Sequence, residues 1–388
     1  MKPTIHFYNN IASHYTKPLI KKILQSDLFE LKYFVGNNTS QGIKNINFEE
    51  EGLLPYKNKI NLIKNTWVKQ KYLIWQKGLL YNCLFGKKID LLIVLGEFNI
   101  LSNWFAAIIC RFRGIPVAFR GHGLYGNEGA LKLFLRKSFY RLANRHLIYE
   151  RRSKNLMISQ GFKADSIHVM FNSLDYDQHK KQRTQFGSYT KSEVFDFFEH
   201  PELQTLIFIG RLTKIKKLGM LLEAVKKINE SASNNVNLLI IGDGVERENL
   251  ENYAENNIDK GHYHFYGSCY SEEIIGKLIS KSDLCISPGN VGLTAIHSLS
   301  LGTPVCTHSN FNNQMPEVES ITNGETGIFF EENNIDDLFE KISTWLLQNP
   351  SKSEKTIQHC YKIIDDYYNP HFQEKVFYSI AVGSTPII

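Results

Sequence analysis

The sequence predicts an α/β protein built from two doubly wound, parallel-sheet domains. Three observations carry that prediction. Its 388 residues are more than one ordinary hydrophobic core accommodates. Short apolar, β-branched runs recur between helix-length segments in both halves, as strands alternating with helices do. A polar stretch poor in aliphatics, Tyr176–Pro201, separates the two sets and reads as a linker or insertion, which puts the boundary near residue 190.

The strands expected in the first half are Thr4–Asn9, Phe29–Val35, Ile89–Gly96, Pro116–Gly121, His146–Glu150 and Ser166–Asn172. In the second half they are Leu206–Gly210, Leu238–Ile241, Tyr263–Gly267, Leu284–Ser287, Pro304–His308 and Gly327–Phe330. Asn334–Gln348 and Glu354–Tyr368 read as helices, Pro370 breaks the second, and Gln373–Val382 continues as a third. The expected organisation is a first domain over 1–190, a second over 191–370, and a terminal helix over 371–388 that packs back on the first. Ligands of such folds sit at the carboxyl ends of the strands, so two facing domains would leave a cleft between those ends.

Composition excludes several classes. A hydrophobic fraction of 43% with 22% charged residues belongs to a folded globular protein and not to a disordered chain. No apolar run reaches membrane-spanning length. MKPTIHFYNN runs straight into a strand pattern without the shape of a signal peptide, so a cytoplasmic setting is expected. Cys83, Cys110, Cys269, Cys285, Cys306 and Cys360 are scattered and read as reduced thiols, neither disulfides nor zinc ligands. Charge is uneven: residues 1–190 carry 29 Lys and Arg against 12 Asp and Glu, whereas the remainder carries 16 against 27. The basic half suits a polyanion or the inner face of an anionic membrane. Within it, Lys57–Phe85 mixes lysines with Trp67, Tyr72, Trp75, Tyr81 and Phe85 and has no carboxylate. That composition fits an interfacial helix on an anionic bilayer, or an amphipathic helix with a solvated basic face. No base-stacking module is recognisable, so nucleic acid is not an expected partner.

The segment Pro288–Thr303, PGNVGLTAIHSLSLGT, follows an apolar strand and opens a helix. A glycine turn at a helix start leaves backbone N–H groups uncovered beside the positive end of the helix dipole, which suits a phosphate. Arg211 and Lys216 lie just past a strand. They read either as a diphosphate clamp or as two solvated surface charges. Gly267 lets a nucleotide base approach the backbone or simply makes a turn.

Taken in order, GRLTKIKKLGMLLEAV, IIGDG, FYGSCYSEEIIGKLISKSDLCISP, GLTAIHSLSLGTPV and PEVESITNGETGIFF resemble the retaining GT-B glycosyltransferases of family 4 type. The resemblance covers Leu206 to about Phe330. It implies the GT-B fold, two facing Rossmann-like domains with a cleft. It also implies that Arg211 and Lys216 hold the donor diphosphate, that Gly292, Leu293 and Thr294 give it backbone N–H groups at the helix start, and that Gly289, Asn290 and Val291 belong to the same donor-binding loop. The family usually carries two glutamates in this loop and helix; here the first position is Gly289 and the second His297. His297 can still hydrogen-bond a ribose, whereas Gly289 has no side chain to meet a sugar. The VGLTAxHS pattern is similar to that of bacterial surface-polysaccharide glycosyltransferases. Glu317 matches the family's Pro-Glu and reads as a contact to donor or acceptor hydroxyls, or as a carboxylate favoured at a helix start.

In the first half, the resemblance carries a role at the transferred sugar to His122, which stands between glycines after a strand. The other reading of His122 is a turn histidine without a ligand. Arg120 and Tyr125 beside it, Glu97 after another strand, and Asn9 and Asn10, where relatives have glycines, are acceptor candidates. The function implied is retaining transfer of a sugar, of hexosyl type, from a nucleotide sugar. UDP is the favoured nucleotide, and the acceptor is a glycan or polyprenyl-linked oligosaccharide of surface polysaccharide biosynthesis. No metal or other cofactor is expected. The alternative is a non-catalytic sugar-nucleotide-binding partner with a degenerate site.

Overall fold

The computed structural model describes residues 1–37, 46–49, 52–68, 72–231 and 235–388. They form two compact units: Met1–Leu174 with Asn369–Ile388, and Asp175–Tyr368.

The first unit holds β1 (Thr4–Asn9), α1 (Lys17–Gln25), β2 (Glu30–Gly36), β3 (Ile60–Ile63), β4 (Asn65–Val68), β5 (Leu73–Gln76), α2 (Leu79–Phe85), β6 (Leu91–Leu95), α3 (Leu101–Phe112), β7 (Val117–Gly121), α4 (Ala130–Tyr140), β8 (Arg145–Ile148), α5 (Arg151–Ser159) and β9 (Ile167–Val169). Seven strands form one sheet in the order β3-β2-β1-β6-β7-β8-β9. Every pairing in it is parallel. The runs LLIVL and VAFRG are buried almost throughout, as strands covered on both faces must be. Strand order reverses between β1 and β6, so their carboxyl ends open the crevice where such sheets take ligands.

The described residues of Lys57–Phe85 do not form one helix. A 3-10 turn (Leu54–Lys59) leads into β3, then β4 and β5 pair antiparallel, and only Leu79–Phe85 is helical. β3 extends the edge of the sheet beside β2, and the buried Asn65 and Gln76 pair across the ribbon. Asn65 donates to the Asn10 carbonyl (2.8 Å) and Gln76 to that of Asn9 (3.3 Å), so backbone satisfaction after β1 decides the conformation over composition.

The second unit holds α6 (Tyr176–Gly187), α7 (Lys191–Val194), β10 (Gln204–Ile209), α8 (Leu218–Glu230), β11 (Val236–Ile241), α9 (Arg247–Asn257), β12 (Tyr263–Gly267), α10 (Glu272–Lys281), β13 (Leu284–Ser287), α11 (Leu293–Ser300), β14 (Val305–His308), β15 (Gly327–Phe330), α12 (Ile335–Gln348) and α13 (Glu354–Asp366). Its sheet order, β12-β11-β10-β13-β14-β15, is the doubly wound order with its switch between β10 and β13. The chain then returns to the first unit as α14 (Pro370–Ala381). There Phe377 packs on Phe7 and Phe29, Gln373 bonds Ser173 and the Phe171 carbonyl, and Glu374 pairs with Lys22 at 3.0 Å.

The division falls between Leu174 and Asp175, before the expected boundary near residue 190. Much of the expected linker is helical instead. Asp175 caps α6 by accepting from Gln178 N, and His179, Gln182 and Phe186 form its buried face. A methyl on Gly276 of α10 would lie 2.7 Å from Phe186 and 3.1 Å from Gln182, so a glycine admits this close helix crossing.

Four histidines of the first unit are held neutral by burial. His6, His122 and His168 are lowered to about 4 and His146 to about 3, from an ordinary 6.5. Below pH 6.5 the unfolded chain takes up protons that the folded chain refuses. Stability from this source is therefore complete above about pH 6.5 and is lost as pH falls toward 4. The melting temperature should drop steadily from pH 7 to 4.5; a level profile would contradict the assignment.

Candidate functional site

In the second unit, the ends of β10 and β13 meet at the switch point. Gly210 continues β10 into Arg211, and a 3-10 turn (Lys214–Lys216) carries Lys216 back toward the loop after β13. The Lys216 ammonium donates to the Asn290 carbonyl (2.7 Å) and to Asn290 Oδ1 (2.9 Å). Burial lowers its pKa, the positive charge of Arg211 lowers it further, and Glu317 works in the other direction. These three charged groups therefore share one electrostatic neighbourhood. Arg211 itself is exposed and makes no ion pair among the described residues. Glu317 is 3% exposed, in a 3-10 turn (Pro316–Ser320).

The loop Pro288–Gly292 is fixed from both sides. The Gly289 amide donates to the Lys216 carbonyl (3.1 Å), and the Val291 amide donates to Gln314 Oε1 (2.7 Å). Gln314 is itself held by Thr307 Oγ1 and the His308 carbonyl. Thr294 Oγ1 closes the start of α11 onto the Ile209 carbonyl (3.1 Å). The amides of Gly292, Leu293 and Thr294 remain without an acceptor among the described residues, at the positive end of α11. A cationic pair and three uncommitted amides at one switch point have the chemistry that suits a phosphorylated ligand.

Gly289 is not a bare donor-facing position. A Cβ there would lie 2.0 Å from the Ile215 carbonyl oxygen and 2.8 Å from Lys216 Cα. Its amide is spent on Lys216, so it offers a ligand neither side chain nor N–H. The close approach of two loops requires the glycine. The turns after neighbouring strands interlock similarly: a Cβ on Gly242 would lie 1.9 Å from the Gly210 carbonyl, and the Gly267 carbonyl accepts the Gly242 amide (2.9 Å). Gly267 has a φ of +81°, and Arg247 Nη1 sits 3.3 Å from where its Cβ would be.

His297 is engaged within its own unit. Its Nε2 lies 3.2 Å from Glu272 Oε2, its ring stacks on His179 at 4.8 Å, and His179 Nε2 lies 3.5 Å from the same oxygen. The two imidazoles hold the Glu272 carboxyl far below the usual carboxylate range, and burial keeps His179 neutral. Glu272 keeps 45% of its side chain exposed and is the outward-facing member. Among the described residues this is the group whose ligand atoms come together as a metal site needs, all within 4.8 Å. The rings are within 17° of parallel, and His179 Nδ1 is buried without an acceptor. Metal-bound histidines ordinarily converge on the ion and donate through the other nitrogen. The arrangement therefore fits a carboxylate shared by two histidines better than a metal site.

In the first unit, His122 follows β7. Gly123 beyond it has a φ of +70°, and a Cβ there would meet Ser153 Oγ at 2.4 Å. Ser153 donates to the His122 carbonyl (2.6 Å) and fixes the turn. The ring lies between Tyr125 (5.4 Å) and Tyr149 (5.0 Å). Burial, then the charges of Arg136 and Arg120, lower its pKa to about 4, so at neutral pH it is a hydrogen-bonding group and not a cation. Glu97, after β6, is raised by burial and opposed by Arg136 and Lys132. Tyr125 lies under the Arg136 guanidinium (4.7 Å), which pairs with Glu128 at 2.6 Å. Arg120 is 6% exposed between the Phe7 and Tyr149 rings. Asn9 departs from its expected acceptor role: it is buried, with its side chain on Tyr33 Oη (3.2 Å) and its carbonyl on Gln76. Asn10 is half-buried, its carbonyl taken by Asn65. The structure adds Gln314, Glu272, His179, Arg136 and Tyr149, which no local motif marks.

No curated protein matches the chain in sequence. Residues 191–362 match the family described as glycosyl transferases group 1. Among solved structures, the chain is similar to HepE from Anabaena in complex with UDP, at 13% identity and a TM-score of 0.68, covering 98% of this chain and 100% of that one. The lipopolysaccharide outer core galactosyltransferase WaaB, apo form, aligns at 14% identity and 0.67, covering 98% and 99%. A glycosyltransferase from Rickettsia africae ESF-5 aligns at 14% and 0.69, again covering 98% and 99%. At such identities the structures establish the fold, which is GT-B. With residues 191–362 of its second unit matching glycosyl transferases group 1, the chain is a transferase enzyme.

Proposed function

We propose that the enzyme moves a sugar from a nucleoside diphosphate sugar, with UDP the favoured nucleotide, to a hydroxyl of a glycan or lipid-linked oligosaccharide, with retention at the anomeric carbon. The observation that carries this reading is the receptor at the β10–β13 switch point: Arg211, Lys216 and the amides of Gly292, Leu293 and Thr294. The HepE structure contains UDP, which supports the choice of nucleotide. In this reading Arg211, Lys216 and the α11 dipole neutralise the diphosphate as the glycosidic C–O bond breaks. Neutral His122 donates or accepts a hydrogen bond at the transferred sugar, and a donor phosphate oxygen takes the acceptor proton. Those cationic and backbone groups do the work that a divalent ion does elsewhere, so transfer is expected to proceed in EDTA. Surface polysaccharide assembly and family 4 type chemistry belong to the same proposal.

The test is isothermal titration with UDP, GDP, ADP and their glucose conjugates, followed by NMR of the product formed in EDTA. UDP binding with an axial product linkage from an axial donor supports the reading. Binding without turnover on any glycan acceptor would favour a non-catalytic partner. Failure of every nucleotide to bind would end the proposal.

A membrane contact is proposed on a surface that keeps the α2 end of the Lys57–Phe85 segment and adds α3 and α4. α3 exposes Phe105, Ile108 and Phe112 along one face, α4 exposes Leu131, Phe134 and Leu135, and α2 exposes Tyr81, Leu84 and Phe85. α2 packs on α3, and Trp104 of α3 meets Phe139 of α4. Lys87, Lys88, Arg111, Lys132 and Arg141 are exposed around them, and the three helices contain no carboxylate. Apolar side chains ringed by cations suit an anionic bilayer. Phe112→Glu with Phe134→Glu should abolish cosedimentation with phosphatidylglycerol vesicles. Binding that persists in the double variant would place the contact elsewhere. No helix of the described residues is long and apolar enough to cross a membrane.

A further inference from the structure

We propose that Arg120 receives an oxyanion of the acceptor, so that the acceptor carries a phosphate or carboxylate close to the hydroxyl that is glycosylated. This rests on the glycosyltransferase reading and adds the substrate class. Arg120 lies at the carboxyl end of β7, in register with Leu95 of β6 and Leu147 of β8, one residue from the turn that presents His122. It is 6% exposed, yet its guanidinium forms no ion pair and no hydrogen bond among the described residues. Its Nε is wholly buried without an acceptor. The Phe7 and Tyr149 rings, 5.7 and 5.3 Å from the guanidinium carbon, fix its position and attract its charge, but they supply no oxygen.

The contrast with Arg136 in the same unit is informative. Arg136 is 3% exposed and its charge is met by Glu128 at 2.6 Å. A guanidinium does not discharge by losing its proton at any ordinary pH. A buried, unanswered one is costly, and proteins keep it where a ligand completes it. Of the titratable groups beside it, His122 is neutral and Tyr33 is a buried phenol bonded to Asn9. The guanidinium fork is shaped for two oxygens of one anion. An acidic sugar and a lipid phosphate both present that chemistry.

The intact chain is first titrated with UDP alone, which tests the donor reading by itself. With UDP saturating the second unit, it is then titrated with methyl phosphate and, separately, with glucuronate. Wild type is expected to bind at least one of them. Arg120→Met, which keeps the packing against both rings, should weaken that binding by about tenfold or more while leaving UDP affinity unchanged. The arm that binds identifies the source as phosphate or carboxylate. Melting of the ligand-free proteins gives a second readout. Removing an unanswered charge should leave the melting temperature of Arg120→Met at or above that of wild type. A clear fall in melting temperature would make Arg120 a structural cation between two rings and overturn the proposal. Equal anion binding by the two proteins, or none by wild type in either arm, would also overturn it, whatever the UDP titration shows.

Discussion

Arg211→Ala and Lys216→Ala should each reduce kcat/KM for sugar transfer by about 100- to 1,000-fold, the usual consequence of deleting one preorganised group that meets charge developing on a leaving group. The two variants should differ in stability. Arg211 is exposed and makes no ion pair among the described residues, so its removal should leave the melting temperature unchanged. Lys216 also pins Asn290 through two bonds of 2.7 and 2.9 Å, so its removal should loosen the loop and lower the melting temperature. Lys216→Arg should restore charge but not both bonds, because the planar fork differs from a compact ammonium. Burial and Arg211 lower the Lys216 pKa, so its charge is lost at lower pH than that of an ordinary lysine. Transfer should accordingly decline on the alkaline side before ordinary lysines titrate. Turnover by Arg211→Ala at the wild-type rate would remove the clamp from the mechanism.

Placing a glutamate at position 289, where the resemblance to family 4 type enzymes expects one, should damage the protein rather than improve it. The first carbon of any side chain there would stand 2.0 Å from one backbone atom of the Ile215–Lys216 segment and 2.8 Å from another. Neither is the end of a flexible side chain, so the loop bearing Lys216 must move. Gly289→Ala and Gly289→Glu are both expected to lose about 3 kcal/mol of stability, the upper end of ordinary overpacking, measured by urea unfolding. Transfer should fall with the displacement of Lys216. His297→Glu meets a different obstacle, because the position already faces the Glu272 carboxylate at 3.2 Å and would set two negative charges together. A stable, more active Gly289→Glu enzyme would show that the glycine is a simple loss. The geometry instead makes it part of how Lys216 is placed.

Much of this was legible in the chain because parallel strands buried on both faces are nearly continuous apolar runs. LLIVL, VAFRG and VNLLII announce themselves, and the order of turns after them follows. Arg211, Lys216 and the α11 turn were legible because one strand end and one helix start carry them locally. Segments governed by distant partners were not. α6 is polar in composition, and only its fit against Gly276 makes it a helix with a buried face. β3, β4 and β5 are only four residues each; β3 is fixed by pairing with β2, and β4 and β5 by bonds from Asn65 and Gln76 to the Asn10 and Asn9 carbonyls. Gln314, His179 and Glu272 reach the site from other elements, and nothing beside them in sequence marks them for it. The commitment of Asn9 to Tyr33 is likewise a tertiary fact.

The return of the last helix to the first unit makes the two halves unequal as pieces of chain. Asp175–Tyr368 is one uninterrupted segment. The other half is assembled from both ends of the polypeptide, with Phe377 filling the space beside Phe7 and Phe29 and Gln373 tying down Ser173. Synthesis must therefore run past α14 before the first unit can complete its core. Changes to α14 will be felt first in the packing around Phe7, Phe29 and Ser173, with Asp175–Tyr368 spared.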